Sequence, residues 1–320
     1  MYAYLLELLH SHDKIVPLWD QTPMSQYVLS LAIQSAAVLE DALLVLVLPA
    51  TVFAGLAIIT KGLWPAWAAT KRAIHQTRFN LLISLLNSLM VAPILATLYS
   101  LMTNFADEFE LRLIAPQVWN VAPPILVGFV AVFADDLVAY WRHRLQHTGL
   151  LWPAHALHHS DTEMTWLAEE RFHPIDLVTT FAIDTSFLIL LGFPAYALLV
   201  NRTVRFYYGF FVHADLPWDY GPLNYVFVSP VMHRWHHSID PAAYQTNFAT
   251  VFSIFDRIFG TYRVPGLPDT PLGVKATIGM GIWAQLLQPF KASAYRSFRG
   301  YFLLLKSTGQ RGRELSDHTL

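Results

Sequence analysis

Residues 119–147 read WNVAPPILVGFVAVFADDLVAYWRHRLQH. The apolar run that reaches Trp141 is long enough to cross the hydrocarbon core of a bilayer, which takes roughly 20 helical residues. The stretch ends in His143 and His147, whose four-residue spacing places both imidazoles on one face of a helix. It therefore predicts a membrane helix that presents two histidines at one end.

Two further stretches carry histidines at helical spacing: HALHH holds His155, His158 and His159, and HRWHH holds His233, His236 and His237. Spacings of three and four residues predict that the three imidazoles of each stretch share one helix face. Neutral imidazole is a ligand for iron, zinc or copper. The eight histidines exceed the needs of one ion, so we predict two metal ions with about four ligands each.

Histidines outside these clusters are less telling. His213 ends the aromatic run YYGFFVH and is included among the predicted metal ligands, whereas His173 in RFHP is left open between a ligand and a hydrogen-bonding partner. The isolated histidines are expected to be ordinary hydrogen-bonded residues: His10, His12, His75 and His318.

Acidic residues near the histidines are candidates for orienting them, because ligating histidines usually donate their second ring nitrogen to a carboxylate or carbonyl. Asp136 lies two helical turns before His143 and inside an apolar span, where an acid is costly and functional. We therefore predict Asp136 as the catalytic acid of the site. Further candidates are Asp135, Glu169, Glu170, Asp176, Asp215 and Asp240.

The composition narrows the class of protein. Hydrophobic residues make up 54% of the 320 residues and charged residues only 14%, against roughly 25% charged in soluble chains. The net charge of −2 argues against a nucleic-acid-binding protein. The absence of cysteine excludes disulfides, thiolate zinc sites and iron–sulfur clusters.

The apolar runs predict an all-α membrane helix bundle with about four crossings, or three crossings plus a helical hairpin. The predicted elements are spans at Ala42–Ile59, Phe79–Met102 and Trp119–Trp141, and a hairpin at Ile175–His213 that turns at Gly192–Pro194. Tyr27–Leu39 is expected to be an interfacial helix or an extension of the first span. No signal peptide is predicted, because the N-terminus has neither a basic leader nor a small-residue cleavage site.

Loop charges predict the orientation. Residues 60–78 hold four basic residues and no acid, whereas residues 103–118 hold three acids and one arginine. The positive-inside rule then places the first loop in the cytoplasm, and with it the histidine-rich cap that follows the third span. We divide the chain into N-terminal membrane helices at 1–120, a catalytic domain at 121–265 and a C-terminal tail at 266–320.

The tail contains a basic amphipathic segment, Ile282–Lys306. Such a segment lies on an anionic membrane surface. Packing against the protein's own surface is the alternative.

The order His-x3-His, His-x2-His-His and a distant His-x2-His-His resembles the fatty acid hydroxylase / sterol desaturase superfamily of integral membrane di-iron enzymes. The flanks resemble it as well: DDLVAYWRHRLQH, LWPAHALHHS, RFHP, SPVMHRWHH and NFATVFSIFDRIFGTY follow in that family's order over about residues 125–265. Asp215 departs from the pattern, which has asparagine at that position.

The resemblance implies that two iron ions, held by histidines, activate O2 and abstract hydrogen from an unactivated C–H bond of a lipid. Hydroxylation of a fatty acyl, amino-acyl or sterol-like lipid is the favoured outcome, and desaturation is the alternative. Electrons are expected from a cytochrome b5-like or ferredoxin-like protein, because no haem or flavin module is recognisable in the chain. The expected location is a bacterial inner membrane or ER-type membrane, with the metals on the cytoplasmic side.

Three other functions compete with this interpretation. A membrane zinc hydrolase would need about three ligands and a general-base glutamate in a motif such as HExxH, which does not occur here. A bis-histidine haem protein would need single histidines on facing spans. A metal transporter or sensor would place polar ligands midway along its spans, where only Asp184 fits.

Overall fold

The computed structural model describes residues 46–274, 279 and 281–295. Several predictions therefore lie outside the described residues: those on Tyr27–Leu39, on residues 42–45 of the first span, on His10, His12 and His318, and on residues 296–306 of the tail. Helices are the regular secondary structure of the described residues, which otherwise form turns and loops and one isolated bridge between Ser238 and Leu272. The predicted all-α class is confirmed for this part of the chain.

The longer helices are α1 (Leu46–Lys61), α2 (Leu63–Leu86), α3 (Ala92–Glu108), α4 (Pro124–Gln146), α5 (Trp152–His159), α6 (Pro174–Thr180), α7 (Ser186–Leu190), α8 (Ala195–His213), α9 (Pro230–His236), α10 (Ile254–Ile258) and α11 (Ile282–Leu286). Turns of π-helix, Asn87–Val91 and Phe181–Thr185, join α2 to α3 and α6 to α7. Short 3₁₀ turns occur at Pro116–Val121, Trp166–Glu170, Gly221–Tyr225, Pro241–Ala243 and Gln288–Phe290.

The second predicted span begins earlier than expected. The structure continues its helix back to Leu63, whereas the prediction began at Phe79 and assigned residues 60–78 to a loop. That stretch is rich in alanine and long straight side chains, which favour helix, and its charges are tolerated on an exposed surface. The π turn precedes Pro93, whose ring and missing N–H disturb the regular hydrogen-bond ladder.

Two helical stretches of the described chain are long and apolar enough to cross a membrane: Leu63–Glu108 with 46 residues and Pro124–Gln146 with 23 residues. At 1.5 Å per residue the first would extend about 69 Å, roughly twice the hydrocarbon thickness, so its basic N-terminal part reaches beyond a single crossing. Val121 and Ile125 are more than 80% exposed, as expected of side chains that face lipid. The number of crossings stays a prediction.

The hairpin turn at Gly192–Pro194 is confirmed. Helix α7 ends at Leu190, Gly192 adopts a φ of +71°, and α8 begins directly after Pro194. A Cβ on Gly192 would lie 2.0 Å from the carbonyl oxygen of Ile114, so only glycine fits between this turn and the chain beside it.

The hairpin packs against α4 and thereby positions the site. Val127 and Ala131 of α4 share a buried cluster with Leu188, Phe193 and Ala197 of the hairpin. A second cluster lies nearer the histidines and includes Tyr140, Val212, Met232, Phe248, Phe252 and Phe255.

The described part of the tail packs on the protein. Ile282 and Leu286 of α11 contact Phe79, Ile83 and Leu157, while Trp283 stays 68% exposed. The alternative of packing against the protein's own surface is therefore confirmed for α11, and its exposed face leaves membrane contact as a prediction.

Candidate metal centre

Three helices carry the eight clustered histidines. His143 and His147 lie at the end of α4, one helical turn apart. Helix α5 begins with Trp152 and Pro153, and a proline in the first turn costs no hydrogen bond. Helix α9 is capped by Ser229, whose hydroxyl accepts a hydrogen bond from the amide of Met232. The end of α4 and the starts of α5 and α9 are thus fixed at positions that bring their histidines together.

The nine predicted ligands come together as two groups. The first group contains His143, His147, His155 and His159, whose candidate ligand atoms lie within 4.8 Å of one another, and His236, whose Nε2 is 3.0 Å from Nε2 of His143. The second group contains His158, His213, His233 and His237, also within 4.8 Å of one another. None of the nine is more than 9% exposed.

The prediction that each triplet shares one face is wrong. In α5 the i, i+4 pair His155 and His159 joins the first group, and His158 joins the second. Helix α9 does the reverse, since His233 and His237 join the second group while His236 contacts the first. Residues three apart differ by about 60° around a helix, enough to direct neighbouring rings to two centres.

Main-chain carbonyls fix the orientation of three rings. His143 Nδ1 donates to the carbonyl of Phe248, and His236 Nδ1 donates to that of Thr246, each at 2.7 Å. His213 Nδ1 donates to Gly209 of its own helix, also at 2.7 Å. Because Nδ1 carries the proton in each neutral ring, Nε2 presents its lone pair to the centre.

The facing nitrogens fit a metal better than a hydrogen bond. Nε2 of His143 and of His236 are 3.0 Å apart, and neither has a proton to donate. Nε2 of His213 faces that of His233 at 2.9 Å and that of His158 at 3.2 Å. Metal–nitrogen bonds of about 2.0–2.1 Å would place two ligands at right angles roughly 2.9 Å apart.

Buried nitrogens without hydrogen-bond partners support the same fit. His155 has none at either ring nitrogen, and Nδ1 is unpaired in His147, His158, His233 and His237. Orphaned buried polar atoms are rare and costly in folded proteins. The donor set is therefore suited to two transition-metal ions, one in each group.

Burial keeps these histidines neutral. Desolvation, helped by repulsion from neighbouring imidazoles, holds the pKa of His158, His159, His233 and His237 well below the ordinary value. Desolvation likewise lowers the pKa of His236 to about 3. Neutral imidazole is the form that binds metal.

Carboxylates lie next to two of the imidazoles. Asp176 Oδ1 is 3.4 Å from His155 Nδ1 and accepts a hydrogen bond from Gln146. Glu169 Oε2 is 3.3 Å from His213 Nδ1, and burial raises the pKa of the Glu169 carboxyl group to about 8. These two acids lie where partners that orient ligands are expected.

Asp136 binds main-chain amides of the loop that contains Val251 and Phe252. It accepts hydrogen bonds from the amides of Val251 and Phe252 and from Arg205. Asp256 holds the same loop through the amides of Phe248 and Ala249, at 2.7 and 2.9 Å. Asp136 thus supports the loop that orients imidazoles, and its assignment as the catalytic acid stays a prediction.

The remaining candidates lie apart from the two groups. His173 caps α6 by accepting from the amide of Ile175, and its Nε2 donates to Leu286. Asp215 pairs with Lys61, and Asp240 caps a 3₁₀ turn. Glu170 accepts from Ser84.

Sequence reasoning missed the positions that form the cavity beside the site. The cavity has a volume of about 250 Å³ and reaches histidines of both groups, including His143, His158 and His213. Apolar side chains also line the cavity, among them Leu95, Leu188, Leu198 and Leu199. The wall residues on α8 recur every three or four positions, a pattern of one helix face that ordinary core packing produces as well.

Comparisons with known proteins place residues 128–261 within the sequence model of a family described as fatty acid hydroxylase. An ornithine lipid hydroxylase of Rhizobium tropici is 34% identical over 187 residues, which cover 58% of this chain and 56% of that protein. An alkylglycerol monooxygenase of Danio rerio is 29% identical over 168 residues, covering 52% of this chain and 36% of that protein.

A Delta(7)-sterol 5(6)-desaturase of Gibberella zeae is 30% identical over 138 residues, covering 41% of this chain and 36% of that protein. The matched part of the chain thus corresponds to between about a third and just over half of each of these relatives. No solved structure matches the chain significantly.

Proposed function

The chain belongs to the fatty acid hydroxylase superfamily through residues 128–261, and from this membership we propose that it is a membrane oxygenase that hydroxylates a C–H bond of a lipid. The observation that carries the proposal is the meeting of nine buried imidazoles in two groups, with facing Nε2 atoms that have no proton to share. The overall reaction combines substrate RH, O2, two electrons and two protons to give ROH and water.

Two iron ions, held by the first and the second group, would supply O2 activation and removal of hydrogen from the substrate. The chain's own contribution is to keep the imidazoles neutral and to fix their Nε2 atoms toward the centre. The loop that carries Phe248 is held by Asp136 and Asp256, so the rings oriented by its carbonyls keep their positions. Preorganisation of this kind is what a reactive metal site requires.

The cavity is the proposed substrate site. It touches imidazoles of both groups, and apolar side chains of α3 and of both arms of the hairpin line it as well. Cavities of this type occur between the helices of bundles. An acyl or alkyl chain fits against the apolar side chains, and the buried walls exclude bulk water from the reacting carbon.

The names of the relatives favour hydroxylation. The ornithine lipid hydroxylase and the alkylglycerol monooxygenase are named for oxygen insertion, and the sterol desaturase is named for removal of hydrogen. We therefore propose hydroxylation first and desaturation as the second candidate. A zinc hydrolase is disfavoured, because a catalytic zinc keeps three protein ligands and an open position, whereas each group here brings four or five imidazoles.

We further propose that an external one-electron donor protein reduces the centre and that both groups face the cytoplasm. The orientation rests on the four basic residues in residues 60–78.

Two measurements test the function. Metal analysis of purified, active protein is expected to find about two irons per chain, and lipid mass spectrometry of cells with and without the gene is expected to find a product heavier by one oxygen atom. Growth under 18O2 should label that oxygen. A product lighter by two hydrogen atoms would make the protein a desaturase, and active protein free of transition metal would overturn the proposal.

A further inference from the structure

A belt of buried charges lies at the cavity, and four of its five members, all except Asp136, line the cavity. We define the charged belt as Asp135, Asp136, Arg142, Asp184 and Arg205. Arg142 Nε donates to both oxygens of Asp184, at 2.8 and 2.9 Å. Arg205 lies 3.1 Å from Asp135 and 2.5 Å from Asp136. The three carboxylates are at most 4% exposed.

The charges of the belt do not cancel. Three carboxylates and two guanidiniums leave one negative charge in excess. Arg202 lines the cavity as well, and its positive charge opposes the rise, caused by burial, in the pKa of Glu169 and Glu170, which lie outside the belt. An uncompensated buried charge is strongly destabilising. The belt is therefore suited to a cation supplied from the cavity.

Hydrogen-bond acceptors beside the belt point the same way. Asn201 Nδ2 donates to Asp135 Oδ2 at 2.9 Å, and a carboxylate only accepts, so the orientation of this amide is fixed. Asn201 Oδ1 and Asp135 Oδ1 are both buried without a hydrogen-bond partner. Both side chains line the cavity.

Asn87, at the π turn on another wall of the cavity, repeats the pattern. Its Nδ2 donates to the carbonyl of Phe172 at 2.8 Å, and its Oδ1 is buried without a partner. Three wall side chains thus offer unfilled acceptors: Asn87, Asp135 and Asn201. A ligand that completes them must be rich in donors.

We propose that the charged belt binds a primary ammonium group of the lipid substrate, with Asp135 Oδ1 and Asn201 Oδ1 as its acceptors. An ammonium brings three donors and one positive charge, whereas a hydroxyl brings no charge and a phosphate adds negative charge. The inference rests on the proposed function, because it names the class of lipid that the site oxidises.

The spacing along α4 gives the proposal a positional consequence. Asp135 precedes His143 by eight residues, which is about 12 Å along a helix. We therefore expect the oxidised carbon to lie on the order of 12 Å from the ammonium, rather than at a chain terminus far from the amine.

Binding of two simple amphiphiles to the full-length protein tests the site. Hexadecylamine, protonated at neutral pH, is compared with hexadecanol by calorimetry in a non-ionic detergent at pH 7. Wild-type protein is expected to bind the amine at least about tenfold more tightly, the gain of one charge-assisted hydrogen bond. Equal affinity for the two overturns the proposal without any variant.

Asp135→Asn is expected to remove the preference for the amine, and Asp269→Asn, which changes an exposed acid away from the cavity, is the matched control and should keep it. Retention of the full preference in Asp135→Asn would also overturn the proposal. Circular dichroism checks that Asp135→Asn is folded. If it is not folded, the comparison of hexadecylamine with hexadecanol on the wild-type protein decides the question.

A turnover assay separates this inference from the proposed function. An aminoacyl lipid is compared with its N-acetylated derivative, which lacks the charge. Turnover of the free amine alone supports both proposals. Equal turnover of the two supports the oxygenase and contradicts the ammonium site, whereas amine-selective binding without turnover of either lipid supports the ammonium site and contradicts the oxygenase.

Discussion

The two imidazole groups differ in what holds their rings. In the first group, His143 and His236 donate to carbonyls of Phe248 and Thr246, on a loop about a hundred residues from α4 in sequence. In the second group, His213 donates to Gly209 in its own helix. The first group therefore depends on a distant loop and the second on local helix geometry. We expect different substitutions to weaken metal binding in each group.

Helices α5 and α9 connect the groups, because each gives an i, i+4 pair to one group and a single histidine to the other. Movement of either helix would disturb both groups. Substitutions in the loop or at Gly209 should affect one group alone.

Removal of a ligand should have the largest effect. His155→Ala in the first group and His158→Ala in the second should each reduce bound iron from about two to about one per chain. Turnover should fall by more than about 100-fold, since loss of an outer partner alone typically costs 10–100-fold. Iron analysis and lipid turnover in detergent check this.

His75→Ala is the matched control, because His75 is exposed on α2 and outside both groups. Membrane insertion should be unchanged in all three variants. Full iron content and activity in His158→Ala would contradict ligation by that residue.

Acid should destabilise the metal-free protein. The pKa of His236 is about 3 in the folded chain, with burial as the main cause, and near 6.5 in an unfolded chain. The unfolded state binds more protons between these values, so the contribution to stability is complete above about pH 6.5 and is lost as the pH falls toward 3. Thermal unfolding of metal-free protein between pH 7.5 and 5 measures the slope.

His236→Phe should make that slope shallower, since the variant lacks one of the groups that titrate. A slope equal to that of the wild type would show that His236 is already protonated, or already accessible, in the folded chain.

Asp256→Asn should weaken the first group and spare the second. Its carboxylate accepts from the amides of Phe248 and Ala249, and an amide side chain would turn an N–H toward one of them. The carbonyl that orients His143 would then shift. We expect metal affinity to fall about 10–100-fold in the first group, measured as one weakened step in an iron titration.

Asp240→Asn is the control for this substitution. Asp240 caps a short 3₁₀ turn, and asparagine caps as well as aspartate. Equal weakening of both steps in Asp256→Asn would mean that the loop supports the two groups alike.

Gly209→Ala should produce the converse, smaller effect. The new Cβ would lie 2.5 Å from the carboxyl carbon of Glu169 and would force that side chain away from His213. We expect about a tenfold loss of metal affinity confined to the second group. Gly55→Ala is the control, because a Cβ there meets no atom within 4 Å.

The histidine pattern predicted which imidazoles come together, but not how they divide into two groups. Spacings of three and four residues indicate a shared face, and only the tertiary arrangement of α4, α5, α8 and α9 decides which ring turns to which centre. The carbonyls of Phe248 and Thr246 that orient the rings could not be predicted, because every residue has a main-chain carbonyl and the residue type does not show which one will accept a hydrogen bond. The hairpin turn was predictable, since Gly192 and Pro194 interrupt an apolar run.

The start of the second span was missed for a related reason. Hydropathy marks where a helix becomes apolar, at Phe79, and the helix itself begins at Leu63. The charged belt could not be predicted from the sequence either, because Asp135, Asp184 and Arg205 are far apart in the chain. Asp136 was noticed as an acid in an apolar span, but its contact with the loop amides required the tertiary structure.

Asp215→Asn should have the smallest effect, although Asp215 lies two residues after His213 and replaces the asparagine that the family resemblance leads one to expect. Asp215 pairs with Lys61 and lies 3.5 Å from Arg234 of α9, and its side chain is 41% exposed. Ion pairs of such exposure contribute at most about 1 kcal/mol, and asparagine can still accept a hydrogen bond from the lysine. Unfolding free energy should change by less than about 1 kcal/mol and iron content should stay the same. Loss of iron from the second group alone would show instead that the contact between α1 and Asp215 positions His213, and the two groups would then both depend on contacts from outside their own helices.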